Sequence, residues 1–137
     1  MTSFDNVKEG DTKEFTTPEF TRTNFVRYAG AGGDYNPIHH DQTFAEKAGL
    51  PTVFGMGLFT AGVLSRIPSE WFGPENVQRY SVKFTSRAWP GDIVTCKGTV
   101  KRVYEAGGRK HVDLDLSATN QKGEVLIAAE ATCRPWK

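Results

Sequence analysis

TVFGMGLFTAGVLS, Thr52–Ser65, is the longest nearly uncharged stretch of this 137-residue sequence. Its apolar residues do not keep to one face of a helix, and this pattern is typical of a helix that protein encloses on all sides. We expect that helix to run over residues 53–67 and to end at Pro68, because proline cannot continue a helix interior. The stretch is too short to span a bilayer, which favours a buried core helix.

Three glycines interrupt the predicted helix: Gly55, Gly57 and Gly62. Each weakens an isolated helix by about 1 kcal/mol relative to alanine. Their presence therefore indicates a close approach of backbone atoms or a functional requirement.

Downstream of residue 75 the hydrophobic pattern changes to a period of two. Apolar and polar residues alternate in four segments: NVQRYSVKFTS (76–86), DIVTCKGTVKRVY (92–104), RKHVDLDLSAT (109–119) and EVLIAAEATC (124–133). Each segment predicts a half-buried antiparallel strand, with Phe84 and Val125 on the apolar faces. Gly107-Gly108 and residues 120–123 have the composition of hairpin turns, and a short first strand is expected near Lys13–Thr17.

An enclosed helix followed by four strands, each with one apolar face, packs most simply when the sheet wraps around the helix. We therefore expect an α+β fold that forms one domain over residues 1–137. The sheet edges and the small core favour a dimer that pairs or covers those edges.

The charge balance excludes one class of partner. Seventeen basic and sixteen acidic residues give a net charge of +1, which provides no electrostatic reason to expect nucleic acid or an anionic membrane.

MTSFDNVKEGD, residues 1–11, has no basic start followed by an apolar run, so no signal peptide is expected. Cys96 and Cys133 form no CxxC pair and are expected to be buried, reduced thiols, which agrees with a cytoplasmic protein.

GDYNPIHHDQ, residues 33–42, concentrates chemically active side chains. One interpretation is a turn, since Asp34 and Asn36 suit Asx-turns and Pro37 restricts the backbone. A second is a metal site in which Asp34, His39 and Asp41 are ligands, but no HxxxH or HxH spacing supports it and we expect no metal.

The third interpretation is acid–base chemistry. The rigid Asn-Pro between Asp34 and His39 can bring a carboxylate and an imidazole to one side of the loop. The amide of Asn36 can orient a water or a substrate carbonyl. Backbone N–H groups of Gly55-Met56-Gly57, at the predicted start of the buried helix, are suited to a developing oxyanion. Such a set fits proton abstraction next to a carbonyl, or addition of water across an adjacent double bond.

YAGAGGDYNPIHHDQTFAEKAGLPTVFGMG, residues 28–57, resembles the hydratase motif of the MaoC-like family. That family comprises the (R)-specific enoyl-CoA hydratases and (3R)-hydroxyacyl dehydratases. The resemblance implies a hot-dog fold, in which an antiparallel sheet wraps a long central helix. It also implies a lyase that reversibly hydrates trans-2-enoyl thioesters to (3R)-hydroxyacyl thioesters, without a cofactor.

The resemblance further assigns roles to the site residues. Asp34 and His39 match the catalytic pair, Asn36 helps to place the water, and the amide of Gly55 or its neighbour would hold the thioester oxygen. The implied substrate is an acyl-CoA or acyl-carrier-protein thioester. The implied assembly is a homodimer or higher homo-oligomer, with a heterodimer as an alternative.

One departure accompanies the match: the family usually has His-Gly-Met where this sequence has Phe54-Gly55-Met56. Phe54 cannot donate a hydrogen bond, which bears on substrate type and rate. Two alternatives also stay open, a hot-dog acyl-thioesterase and a non-catalytic partner subunit of a dehydratase heterodimer. Arg87 is interpreted as part of a solvated strand face or as a contact for carrier phosphates, and Trp89 as a surface or packing residue.

Overall fold

A five-stranded antiparallel sheet and four α-helices make up the part of the chain that the computed structural model describes, residues 4–137. The elements, in chain order, are β1 (Thr12–Thr16), α1 (Arg22–Gly32), α2 (Gln42–Lys47), α3 (Gly57–Leu64), α4 (Arg66–Phe72), β2 (Val77–Phe84), β3 (Thr95–Ala106), β4 (Arg109–Thr119) and β5 (Val125–Cys133). Short 3-10 turns at Pro37–His39 and Pro74–Asn76 precede α2 and β2.

The strands pair in the order β1-β3-β4-β5-β2. β3, β4 and β5 form consecutive hairpins, and the first turn uses Gly107 and Gly108 at positive φ, as their composition predicts. The inward residues of β4 alternate as expected and are at most 4% exposed. The expected alternation fails at one end of the sheet, where Phe84 and Val125 are 53% and 40% exposed.

The expected central helix is wrong in its bounds. Residues 53–56 are not helical, α3 begins at Gly57, and a break at Ser65 separates α3 from α4. Pro68 does not end a helix, because it lies in the first turn of α4, where its missing N–H has no intrahelical acceptor to lose. The long central helix is thus two short ones, and α3 is open on one side, since Leu58 is 63% exposed.

The helices contact the inner face of the sheet at close range. A Cβ at Gly98 of β3 would lie 2.6 Å from Ile67 of α4 and 2.9 Å from Leu116 of β4, so glycine permits this packing. Cys96 and Cys133 lie in the same core as free thiols, and burial raises the pKa of each to about 12. Their predicted burial is confirmed.

Caps at both ends position the loop of residues 33–41. Gly33 ends α1 with φ 76°, in the left-handed region that glycine tolerates. The Asp41 side chain begins α2 by accepting a hydrogen bond from the Phe44 N–H. None of the helices within residues 4–137 is long and apolar enough to cross a membrane.

Candidate active site

Two successive side-chain turns shape the loop after α1. The Asn36 N–H donates to Oδ1 of Asp34 (3.2 Å), and the Ile38 N–H donates to Oδ1 of Asn36 (3.1 Å). Pro37 then begins the 3-10 turn that ends at His39. The turn interpretation therefore accounts for the local conformation, and it places the side chains of residues 34 and 39 on the same side of the loop.

The carboxylate of Asp34 and the imidazole of His39 face each other. Nε2 of His39 lies 3.6 Å from Oδ2 of Asp34, while the histidine is 8% exposed and the aspartate side chain 47% exposed. Nδ1 of His39 lies 2.7 Å from the carbonyl oxygen of Phe54. Because a carbonyl only accepts, Nδ1 carries the proton, and a neutral His39 presents its lone pair at Nε2, toward Asp34.

A cavity of about 770 Å³ opens beside this pair. Asp34 and His39 lie on its wall, as do Gly55, Met56 and Gly57, so the structure brings together five of the six predicted site residues. The remaining wall is largely apolar and includes Phe84, Leu126 and Ile127, while Arg87 and Glu124 contribute charge. A volume of this size is typical of small-molecule sites.

Asn36 is the predicted site residue that does not line the cavity. Its Oδ1 is used by the Ile38 N–H, and the residue is exposed. These contacts support a role in holding the loop, and a water-placing role stays a prediction. Asp41, the third residue of the metal hypothesis, caps α2 instead, and no group of three or more His, Cys, Asp or Glu within residues 4–137 could hold a metal ion.

Of the three expected backbone donors, Gly55, Met56 and Gly57, the first is already engaged. The Gly55 N–H donates to the carbonyl oxygen of Ala88 at 2.8 Å, so the amide of Gly55 is not free to hold a substrate oxygen. α3 begins without a side-chain cap and without an acidic residue in its first turn. The N–H groups of Met56 and Gly57 consequently have no acceptor among residues 4–137, at the positive end of the helix.

Glycine at position 57 permits close packing at the cavity wall. A Cβ there would lie 2.7 Å from the ring of Phe84. The phenylalanine side chain therefore lies directly over the first backbone unit of α3. This contact brings an apolar wall next to the free amides.

Aromatic rings surround the histidine on its other side. The Phe54 ring contacts the His39 ring edge to face at 4.9 Å, and Trp89 lies 6.0 Å beyond it. The guanidinium of Arg87 sits over the Phe54 ring at 5.1 Å. Trp89 and Arg87 are thus part of the cavity wall, which the sequence did not predict for either residue.

The family model described as "MaoC like domain" matches residues 5–122 of the sequence. The chain belongs to the MaoC-like dehydratase family. The recognised motif, residues 28–57, lies inside the matched range, and the resemblance inferred from it is confirmed.

Two curated relatives align with parts of this MaoC-like chain. It is 49% identical over 59 residues to 3-hydroxyacyl-thioester dehydratase X of Mycobacterium tuberculosis, which covers 42% of this chain and 20% of that protein. It is 31% identical over 91 residues to the peroxisomal hydratase-dehydrogenase-epimerase of Saccharomyces cerevisiae, which covers 66% of this chain and 10% of that protein. The chain therefore spans only a small part of the curated relatives it matches.

The fold of this MaoC-like chain is that of a solved (R)-hydratase. R-Hydratase PhaJ1 from Pseudomonas aeruginosa, in the unliganded form, superposes with a TM-score of 0.84 at 21% identity, over 94% of this chain and 82% of that one. The expected α+β hot-dog fold is confirmed, with the correction that its central helix is divided at Ser65.

Thr60 is a buried polar residue of the MaoC-like cavity that sequence reasoning missed. It lies on α3 and is only 3% exposed, yet it lines the cavity. The available signal was helical spacing, since Thr60 follows Met56 by one turn and shares its face.

Proposed function

We propose that this protein reversibly hydrates trans-2-enoyl thioesters to (3R)-hydroxyacyl thioesters, or catalyses the reverse dehydration. The observation that carries the proposal is the Asp34–His39 pair beside free backbone donors on one apolar cavity. Membership of a dehydratase family and the names of the relatives, a 3-hydroxyacyl-thioester dehydratase and an (R)-hydratase, support the same reaction class.

In the proposed mechanism the pair binds the attacking water. The 3.6 Å between Nε2 and Oδ2 is too long for a direct hydrogen bond, so both atoms can accept from one water molecule. Nε2 of His39 takes one water proton as general base, because its lone pair points toward Asp34 and the water bound there. Oδ2 of Asp34 accepts the other O–H and orients the oxygen toward the substrate's β-carbon.

The thioester carbonyl is proposed to lie at the start of α3. When the water oxygen bonds to the β-carbon, the π electrons move toward the carbonyl and negative charge develops on its oxygen. In this proposal the unpaired N–H groups of Met56 and Gly57 donate to that oxygen. One preorganised donor of this kind contributes about 3 kcal/mol of transition-state stabilisation.

Collapse of the enolate completes the addition. The proton taken from water is donated to the α-carbon. One water thus adds as a hydroxyl group on the β-carbon and a hydrogen on the α-carbon, and no redox partner is needed. Because the acid–base pair lies on one side of the cavity, both additions occur on the same face of the acyl chain. Every proposed step uses side chains and amides of this chain, without a cofactor.

Removing either member of the pair tests the proposal. Purified wild type, Asp34→Asn and His39→Ala are assayed for loss of enoyl absorbance with trans-2-enoyl-CoA substrates of short, medium and long chain. We expect each variant to stay folded and to lose about 10²-fold or more in turnover, as general acid–base catalysis usually contributes 10²–10⁴-fold. His40→Ala is the matched control, because that neighbouring imidazole is exposed and does not line the cavity.

The outcomes separate the alternatives. Loss of absorbance without release of free thiol supports hydration, whereas thiol release would identify a thioesterase. Wild-type turnover in Asp34→Asn or His39→Ala would remove the site assignment. Activity that required a second, different chain would identify a partner subunit, and repeating the assay with acyl-carrier-protein thioesters identifies the preferred carrier.

A further inference from the structure

Thr60 carries a hydroxyl group that the structure leaves without a partner inside the cavity. The residue is 3% exposed and lines the cavity wall. Its Oγ1 makes no hydrogen bond to any residue in the range 4–137. Every fully buried side-chain nitrogen or oxygen of that range has a hydrogen-bond partner, so Oγ1 is not fully buried. The small accessible area of Thr60 therefore includes Oγ1, and that atom opens to the cavity.

This arrangement is unusual for threonine in a helix. A helical threonine commonly donates its hydroxyl hydrogen to the carbonyl one turn earlier, which for Thr60 is the carbonyl of Met56. That bond is not formed, while Ser69, in α4, does donate to the carbonyl of Ser65 at 2.8 Å. Because Oγ1 opens to the cavity, its hydrogen is available to a molecule that enters the cavity.

Helix geometry places this hydroxyl near the free backbone donors. Side chains of an α-helix lean toward its N-terminus, and residues four apart lie on one face. Thr60 is the fourth residue of α3, one turn after Met56. Its side chain accordingly leans toward the end of α3 at which the N–H groups of Met56 and Gly57 are unpaired.

Every other polar side chain of the wall is more exposed than Thr60, including the half-buried Tyr28. Asp34 and His39 bind the water in the proposed mechanism. The Thr85 hydroxyl donates to the Val125 carbonyl at 2.6 Å. Ser86 is exposed at the cavity rim. Among the hydroxyl side chains that line the cavity, Thr60 is thus the one that is buried.

We propose that the Thr60 hydroxyl donates a hydrogen bond to the thioester oxygen, beside the amides of Met56 and Gly57, and is a further catalytic residue. This inference rests on the proposed hydration of enoyl thioesters. Because the bond strengthens as charge develops on that oxygen, it acts mainly in the transition state.

The test compares Thr60→Val, which removes the hydroxyl at nearly constant shape, with Thr60→Ser, which retains it. We expect Thr60→Val to lower kcat by about 10²-fold with little change in KM, as loss of one such donor does in other enzymes. Thr60→Ser should keep most of the wild-type kcat. Thr99→Val, at a half-buried strand position outside the cavity, is the matched control and should behave as wild type.

Three results would overturn the proposal. A wild-type kcat in Thr60→Val shows that no catalytic bond is made. An effect on KM alone shows that the hydroxyl binds the acyl chain equally in the ground state, and equal losses in the valine and serine variants assign the effect to packing. If wild type itself hydrates no enoyl thioester, the proposed function fails first and this inference falls with it.

Discussion

Asn36 shows how one residue type fits two roles that the sequence alone cannot separate. The sequence predicts that its amide places the water. In the structure its Oδ1 accepts the Ile38 N–H and begins the 3-10 turn that carries His39. These contacts support a positioning role, in which the side-chain oxygen matters and the amide N–H₂ does not.

Substituting Asn36 by aspartate or by alanine distinguishes these roles. Asn36→Asp retains the oxygen acceptor, so we expect it to keep most of the turnover. Asn36→Ala removes the cap, and we expect it to lower the free energy of unfolding by about 1 kcal/mol and to reduce turnover. Urea unfolding and the enoyl-CoA assay measure the two effects. Equal inactivation by both substitutions would instead favour the water-placing role.

The predictability of the site differs from residue to residue. Asp34 and His39 could be predicted to meet, because a rigid Asn-Pro between them fixes the local path of the chain. The use of the Gly55 amide could not be foreseen, since its acceptor, the Ala88 carbonyl, comes from a loop distant in sequence. The sequence therefore predicts contacts within one loop, but not hydrogen bonds between segments that are distant in sequence.

Among the elements, the sheet was predictable and the central helix only in part. The alternating pattern of β4 reports burial of one face directly, and its bounds agree with the expected segment. The uniform apolarity of residues 53–67 carries no such directional signal, so the break at Ser65 was missed. Pro68 misled the prediction because the first turn of a new helix tolerates proline.

Contact between α4 and the sheet yields a matched pair of glycine substitutions. Gly98→Ala places a methyl group 2.6 Å from Ile67 and 2.9 Å from Leu116, so we expect a loss of about 1–3 kcal/mol in the free energy of unfolding. Gly62 of α3 has open space around it, and Gly62→Ala should stabilise by about 0.5–1 kcal/mol. Urea denaturation of both variants measures this difference. Equal stabilisation by the two would contradict the close packing of α4 on β3.

On the scale of the whole molecule, the cavity is open where the apolar pattern expects burial. Leu58 and Phe84 line it and are 63% and 53% exposed. Phe84 is the last residue of β2, an edge strand that pairs, within residues 4–137, with β5 alone. The sequence predicts a helix that protein encloses on all sides, but a single chain leaves one side of α3 uncovered. A second copy over this side would bury both residues and cover the edge, in agreement with the dimer that the sequence favours.

Self-association tests this view through one exposed apolar residue. We expect wild type to have about twice the single-chain mass of 15.2 kDa in solution. Leu58→Asp should reduce it to the single-chain mass, because a buried charge without a partner opposes association. Ile93→Asp is the control, since Ile93 is 41% exposed but precedes β3, which is paired on both sides. Light scattering after size-exclusion chromatography gives the masses. A wild-type mass of one chain would exclude the homodimer, and association only on mixing with a different chain would establish the heterodimer in its place.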